Sequence, residues 1–540
     1  MELSPSAHLD TFCRDNLPPR EQWPDFRFDL PELQYPQRLN CAAALLDEVV
    51  ATHGAARPAL LGADETWSYG QLLARANQLA HYLSEDAGLL PGQRVLLRGP
   101  NNPWLVACWF AVLKAGGVVV LTVPMLRSGE ITPLIELTRA GLALCDARFT
   151  DDLMPAVTAA GIPMLAYGGG GPEDLIGLSA AKPTEYDNVG TAADDVALLA
   201  PTSGTTGTPK ATMHFHRDVL AIADTFGKHL VAGRPEDVFT GTPPLAFTFG
   251  LGGLLIFPLR IGASTLLIER ATPTELAEAV ERYGATVLFT APTAYRAILR
   301  AGQQHRLATV RRAVSAGEHL PKPVWQELYD KTGIKLIDGI GSTEMLHVFI
   351  SAADDDIRPG ATGKAVPGYT ATVLDAEGNP APDGTAGRLA VIGPTGCRYL
   401  ADPRQAVYVQ HRWNITGDTY IRDSDGYFWY QARSDDMIVS SGYNIAAPEV
   451  ERALEQHPDV VECAVVGRPD SERGATVHAV VVLRDGAARD AAKVSELQDF
   501  TKQTIAPYKY PRSIEFVQAL PRTSTGKVQR FRLREPEVAR

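Results

Sequence analysis

The run Thr202-Ser-Gly-Thr-Thr-Gly-Thr-Pro-Lys210 places hydroxyls, two glycines and a lysine within nine residues. It follows the apolar segment Val196-Ala-Leu-Leu-Ala200, so a buried strand opens directly into it. Gly204 and Gly207 let the backbone come close to a ligand and turn its amides inward. The hydroxyls of Thr202, Ser203, Thr205 and Thr206, with the charge of Lys210, suit a polyphosphate. It is not a Walker A loop, because Pro209 precedes Lys210 and Ala211 follows it. A Ser/Thr/Gly linker is the alternative, but linkers seldom carry this order straight after a buried strand. A second phosphate-seeking feature is the C-terminal end. Lys502 to Arg540 holds nine basic and three acidic residues, although charge by itself fits a solvated tail equally well.

These residues need elements to hold them. Helical and strand-like stretches alternate from about residue 41 onward. Gln71–Tyr82 reads as a helix, Arg94–Arg98 as a strand, Trp104–Ala115 as a helix and Val118–Val123 as a strand. The pattern returns at Thr274–Tyr283, Thr286–Thr290, Ala294–Ala301 and Arg312–Ser315. Such alternation predicts an α/β fold with helix-covered, largely parallel sheets. Around residue 360 short strands and Gly/Pro/Asp turns take over, predicting a β-rich subdomain to about 433. After that a helix begins near Pro448, Cys463–Val466 and Val477–Leu483 are strand-like, and Val494–Thr504 is helical: a small α+β unit. The expected organisation is an N-terminal domain, 1–433, and a C-terminal domain, 434–540. Residues 1–40, rich in proline and aromatics, form an arm over the larger part.

The 540 residues, 45% hydrophobic and 21% charged, suggest two to four domains at roughly 150 residues each. That composition excludes disordered and collagen-like classes. Lys+Arg 51 against Asp+Glu 63 gives −12, which argues against general nucleic-acid binding. The last 105 residues carry 15 basic and 15 acidic groups, so the negative charge lies in the rest. Six cysteines stand far apart without a CxxC pair, so neither zinc ribbon nor redox pair is signalled. The most apolar stretch, Trp104–Val123, is broken by Lys114 and Gly116-Gly117 and reads as a buried helix and strand, not a membrane span. No cationic start followed by an apolar stretch opens the chain, and the expected location is the cytoplasm. A homodimer is left open.

The phosphate loop resembles that of the adenylate-forming superfamily, which includes acyl-CoA synthetases and the adenylation domains of peptide synthetases. Further motifs match in the family's order: Ser315-Ala-Gly-Glu-His-Leu-Pro321, Asp338-Gly-Ile-Gly-Ser-Thr-Glu344, Thr416-Gly-Asp418, Arg433-Ser-Asp-Asp436, Ser441-Gly-Tyr-Asn-Ile and Pro521-Arg-Thr-Ser-Thr-Gly-Lys527. The resemblance runs from about residue 50 to the end. It implies that a carboxylate attacks the α-phosphate of ATP, giving an acyl adenylate and pyrophosphate, and that a thiol then displaces AMP.

Roles follow by position. Gly317, Glu318, Asp338, Gly339 and Ile340 would enclose adenine, and Asp418 and Arg433 would hold the ribose and phosphate edge. Thr343 would contact the α-phosphate, and Glu344 would hold Mg2+. Lys527 would stabilise the transition state as a point charge. Asp435 would be the hinge about which the C-terminal domain rotates between half-reactions. Two positions depart from the family's usual pattern. Ile340 stands where relatives often have an aromatic, and Val439 where a lysine is common after the hinge.

Leu245-Ala-Phe-Thr-Phe-Gly-Leu-Gly252 and Met345-Leu-His347 resemble the benzoate-CoA ligase group. The arm segments Asp15-Asn-Leu-Pro-Pro-Arg-Glu-Gln-Trp-Pro and Leu33-Gln-Tyr-Pro-Gln-Arg-Leu-Asn40 resemble 2-aminobenzoate-CoA ligases in particular. This implies an aryl slot of Phe247, Thr248, Phe249, Gly341 and His347, with 2-aminobenzoate the first choice of acid. Coenzyme A is the expected acceptor, passing Gly442 and meeting Arg473, Lys509 and Arg512. A stand-alone enzyme loading a carrier protein, and a non-catalytic nucleotide-binding protein, remain alternatives at this level.

Overall fold

The structure, a computed structural model, describes residues 2–62, 65–203, 209–433, 437–521 and 528–534. It is a mixed α/β protein with a large N-terminal part and a smaller C-terminal one, as the alternating pattern requires. One six-stranded sheet has the order Met164–Tyr167, Leu142–Asp146, Arg94–Arg98, Val118–Thr122, Val196–Ser203, Pro209–Phe215. Its first five strands are parallel, and the last pairs antiparallel across the phosphate loop. A nine-stranded sheet carries Val238–Gly241, Val287–Thr290, Arg312–Ser315 and Ile337–Gly341 as parallel neighbours.

Parallel strands covered on both faces read as near-continuous apolar runs, polar groups falling at their ends. Arg94–Arg98, Val118–Thr122 and Leu142–Asp146 are buried at every position. The helix Pro103–Lys114 lies between the sheets, buried at nearly all its residues. Proline begins it without losing a needed donor, and the Asn102 side chain accepts from the Leu105 amide at 2.9 Å. Lys114 is tolerated at its end because its ammonium meets Asp47 at 2.6 Å. The stretch weighed as a membrane span is therefore helix plus strand, and no described helix is long and apolar enough to cross a membrane.

The antiparallel strands Thr370–Leu374, Ala386–Ile392, Trp413–Arg422 and Phe428–Arg433 form a separate sheet. The arm is pinned to it: Phe26 bridges Gly393, and Trp23 is buried. Beyond residue 437 a hairpin, Met437–Ser440 with Tyr443–Ala446, leads into the helix Ala447–Glu455 and a three-stranded sheet. This C-terminal part has its own core, including Ile438, Val450, Leu454, Val465, Val481 and Leu497.

Candidate active site

The strands at the phosphate loop pair Thr202 with Lys210 and bring the Lys210 ammonium to the Ser342–Leu346 turn. There Lys210 Nζ donates to Glu344 Oε1 at 3.1 Å, and the Tyr399 hydroxyl hydrogen-bonds the same carboxylate oxygen and meets Lys210. The ammonium also lies 4.1 Å from the centre of the Tyr399 ring. Burial works to raise the Glu344 pKa, but Lys210 and the Tyr399 hydrogen bond overcome it and hold the carboxyl below the usual range. Glu344 is thus ionised, and both of these bonds fall on Oε1. A buried, ionised carboxylate is a hard oxygen donor of the kind that fits Mg2+.

The turn itself is held from three sides. Ser342 Oγ accepts from the Met345 amide at 3.2 Å and meets the Tyr408 hydroxyl at 3.1 Å. Leu346 takes φ +66° to reverse the chain. Below it, His214 Nε2 donates to the Thr343 carbonyl at 2.9 Å, and burial drives this imidazole down to about 3, so it is neutral. Gly341 is required by space: a Cβ there would sit 2.7 Å from the His347 carbonyl oxygen.

A cavity of about 1460 Å³ opens from this turn. Thr202, Gly317, Gly341, Thr343, Phe247, Thr248, Phe249 and His347 line it together with Gly442 and Arg473. His347 is buried in an aromatic nest, its ring 4.7 Å from Phe257, 5.3 Å from Phe226 and 5.7 Å from Phe249. Desolvation drives it to about 3. Its Nε2 faces the Phe249 carbonyl at 3.4 Å, which makes that nitrogen the donor, and Nδ1 has no partner among the described residues. Phe247 is more exposed, and Tyr443 of the C-terminal part meets its ring edge at 5.9 Å.

The residues expected at adenine and ribose form a neighbouring group. Asp338 and Asp418 both act on the buried Tyr420 hydroxyl, so the two carboxylates share one region. Asp338 Oδ1 is shielded and has no partner among the described residues, and desolvation pushes this carboxyl well above the ordinary range. A donor such as an exocyclic amine would satisfy it. The Asp418 amide donates to Thr416 Oγ1 at 3.3 Å. Gly339 is buried, and Ile340 is partly buried against the core. Gly204, Thr205, Thr206, Gly207, Asp435 and Lys527 lie outside the described residues, as do the side chains of Ser203 and Arg433.

Three residues differ from their expected surroundings. Glu318, read as adenine wall, is turned to the C-terminal part: its carboxylate accepts the Gly442 amide at 2.5 Å, and burial pushes it up to about 7. Gly442, at φ +81°, makes that approach possible. Lys509 lines the cavity, but its ammonium is buried between Glu130 at 2.7 Å and Glu449 at 2.5 Å, not offered to a phosphate. Arg512 lies outside the cavity wall, its guanidinium 3.9 Å over the Tyr510 ring. Of the four residues expected at coenzyme A, Gly442, Arg473 and Lys509 line the cavity, the last with its charge already paired, and Arg512 does not. Arg296, Arg300 and Arg452 also line it and had no motif to announce them. Tyr399 and His214 were likewise unread, because neither stands in a spacing that distinguishes it from core.

Residues 46–399 match the family described as AMP-binding enzyme, and residues 449–527 match the AMP-binding enzyme C-terminal domain. The chain belongs to the AMP-binding enzyme family. It falls in the adenylate-forming superfamily with the benzoate-CoA ligase group, and it is an AMP-forming acyl-CoA ligase that uses ATP and coenzyme A. Benzoate–CoA ligase of Thauera aromatica is 33% identical over 93% of this chain and 97% of its own. The crystal structure of the anthranilate CoA ligase AuaEII in complex with anthranoyl-AMP is 33% identical, with TM-score 0.73, over 94% of this chain and 98% of that one. The amide bond synthetase McbA from Marinactinospora thermotolerans, at 27% identity, has TM-score 0.83 over 92% of this chain and 99% of its own.

Proposed function

We propose that the enzyme activates an aromatic acid, 2-aminobenzoate or a close benzoate analogue, to aryl-AMP and then to aryl-CoA, releasing pyrophosphate and AMP. One observation carries the reading. The cavity that joins the phosphate strands to Gly442 is walled by Phe247, Phe249 and Gly341, with a neutral His347 whose Nδ1 lacks a partner. A flat ring suits such a wall, and an ortho amino group would donate to Nδ1. The relatives that act on benzoate and on anthranilate support the same class.

In the first half-reaction a carboxylate oxygen forms a bond to the α-phosphorus, and the bond to the β-phosphate oxygen breaks. Thr343 and Lys210 hold the phosphate chain, Asp338 accepts from the adenine amine and Asp418 from the ribose hydroxyls. Lys527, carried by the C-terminal domain about a hinge at Asp435, places its charge between the attacking oxygen and the α-phosphate. Mg2+ held at Glu344 would neutralise charge on the phosphates when bound. In the second half-reaction the thiol sulfur bonds to the acyl carbon, the thiol proton is lost, and AMP leaves with its electron pair. The Gly442 backbone, already facing the cavity, lines the path of the pantetheine arm, and Arg473 stands at its mouth.

ATP–pyrophosphate exchange over a panel of acids tests this. A buried acceptor left without a donor costs about 1–3 kcal/mol. The enzyme should therefore prefer 2-aminobenzoate over benzoate by about tenfold or more, since 1.4 kcal/mol is about a factor of ten. His347→Phe should erase that preference while keeping benzoate as substrate. A preference for long-chain fatty acids would end the aryl reading.

A further inference from the structure

Glu130 receives more bonds across the boundary between the two parts than any catalytic motif would lead one to expect. It lies in the first turn of the helix Ser128–Thr138. Its Oε2 accepts the Arg127 amide at 3.0 Å, a local cap, and also the Ala506 amide at 2.8 Å. Its Oε1 accepts from Lys509 Nζ at 2.7 Å. Ala506 and Lys509 belong to the turn that follows the helix Ala491–Thr504, and Arg127 Nη2 donates to the Lys502 carbonyl at the end of that helix. One carboxylate thus fastens a whole segment of the C-terminal part.

The partners on each side make this contact reversible. If the C-terminal part rotates away, Lys509 keeps Glu449, which lies on the helix Ala447–Glu455 of the same part. Glu130 keeps the Arg127 amide. Neither charge is left buried and alone, which is what usually makes breaking a buried ion pair costly. The contact is made in the arrangement that also brings Gly442 to the cavity and to Glu318. That second contact arises from a different element, the 437–446 hairpin.

We propose that Glu130 is a positioning residue for the thiol step: it anchors the C-terminal domain, through Lys509 and the Ala506 amide, in the orientation that presents Gly442 to the acyl adenylate. The inference rests on the two-step reaction proposed above. Glu130 touches neither nucleotide nor acid in this role, so the first half-reaction does not need it.

Glu130→Gln keeps an oxygen for the two amides but removes the charge and the acceptor of Lys509; Glu130→Ala removes everything. Single-turnover pyrophosphate release without coenzyme A should stay within about twofold of the parent for both. Thioester formation from preformed aryl adenylate should fall about tenfold in Glu130→Gln and further in Glu130→Ala. Equal falls in both half-reactions, or no fall in either, would overturn the proposal. A substrate-free readout separates it from the choice of reaction. All six native cysteines are buried, so spin labels on Met154→Cys and Val461→Cys, both exposed, report the distance between the parts. Glu130→Gln should shift at least half of the population from the parent's main distance, and an unchanged distribution would overturn the anchor. An enzyme that made no thioester at all would sink the proposed reaction and leave that distance measurement decisive for Glu130.

Discussion

Glu318 carries a proton balance that its motif did not suggest. Its carboxyl is buried, touches Thr293 and accepts the Gly442 amide, and its pKa rises from the ordinary 4.5 to about 7. The ionised form is the stronger acceptor, so docking of Gly442 strengthens as pH rises through about 7. The rate of the thiol step should show that ionisation, and Glu318→Gln should flatten the profile; an identical limb in the variant would contradict the assignment. The effect on unfolding has the opposite sign. The folded chain holds a proton that the unfolded chain releases, so this group's contribution to stability declines between about pH 4.5 and 7 and is constant above. Tyr399 makes a second prediction at this scale. Its hydroxyl joins Lys210 to Glu344, and Tyr399→Phe should lower adenylation by about tenfold, one charge-assisted hydrogen bond of about 1.5 kcal/mol, with little change in acid preference. Stopped-flow pyrophosphate release measures both numbers.

The turn Ser342–Leu346 is the element on which the proposed nucleotide, metal and acid sites converge, and it is held by groups from elsewhere in the chain. His214, on the strand after the phosphate loop, bonds the Thr343 carbonyl. His214→Leu leaves that carbonyl without its donor, at about 1–3 kcal/mol of stability, and should slow adenylation with it. Denaturant midpoints and pyrophosphate release would fall together, and a stable variant of full activity would contradict the role. Elements of this kind divide what the sequence can reveal from what it cannot. The strands Arg94–Arg98 and Arg312–Ser315 were readable to the residue, because each is a short stretch with an apolar centre set between helical patterns too long to be strands. The helix expected at Trp104–Ala115 starts at Pro103, whose ring suits a first turn. The motifs at 202–210, 315–321 and 338–344 were also readable, and the structure brings their described residues into one region. What stayed hidden was partnership at long range. Lys509 looked like a phosphate ligand because it is a lysine in a basic segment; its partner Glu130 is 379 residues away, and no spacing connects them. Tyr399 stayed hidden for the same reason.

At the scale of the molecule, the cavity meets a second part through Glu318, Glu130, Phe247 and Arg296. In this arrangement Gly442, on the turn of the 437–446 hairpin, lines the cavity. Under the proposed mechanism Lys527 serves the first half-reaction alone, so Lys527→Ala should abolish pyrophosphate release while sparing thioester formation from supplied aryl adenylate. Equal loss of the two would remove Lys527 from the first step. The most direct test of the whole account is to give the purified enzyme Mg2+, ATP and 2-aminobenzoate, add coenzyme A, and follow products by mass spectrometry. The account predicts pyrophosphate and aryl-AMP before coenzyme A is added, then 2-aminobenzoyl-CoA and AMP in equal amounts. Release of no pyrophosphate with this or any other benzoic-type acid would contradict it.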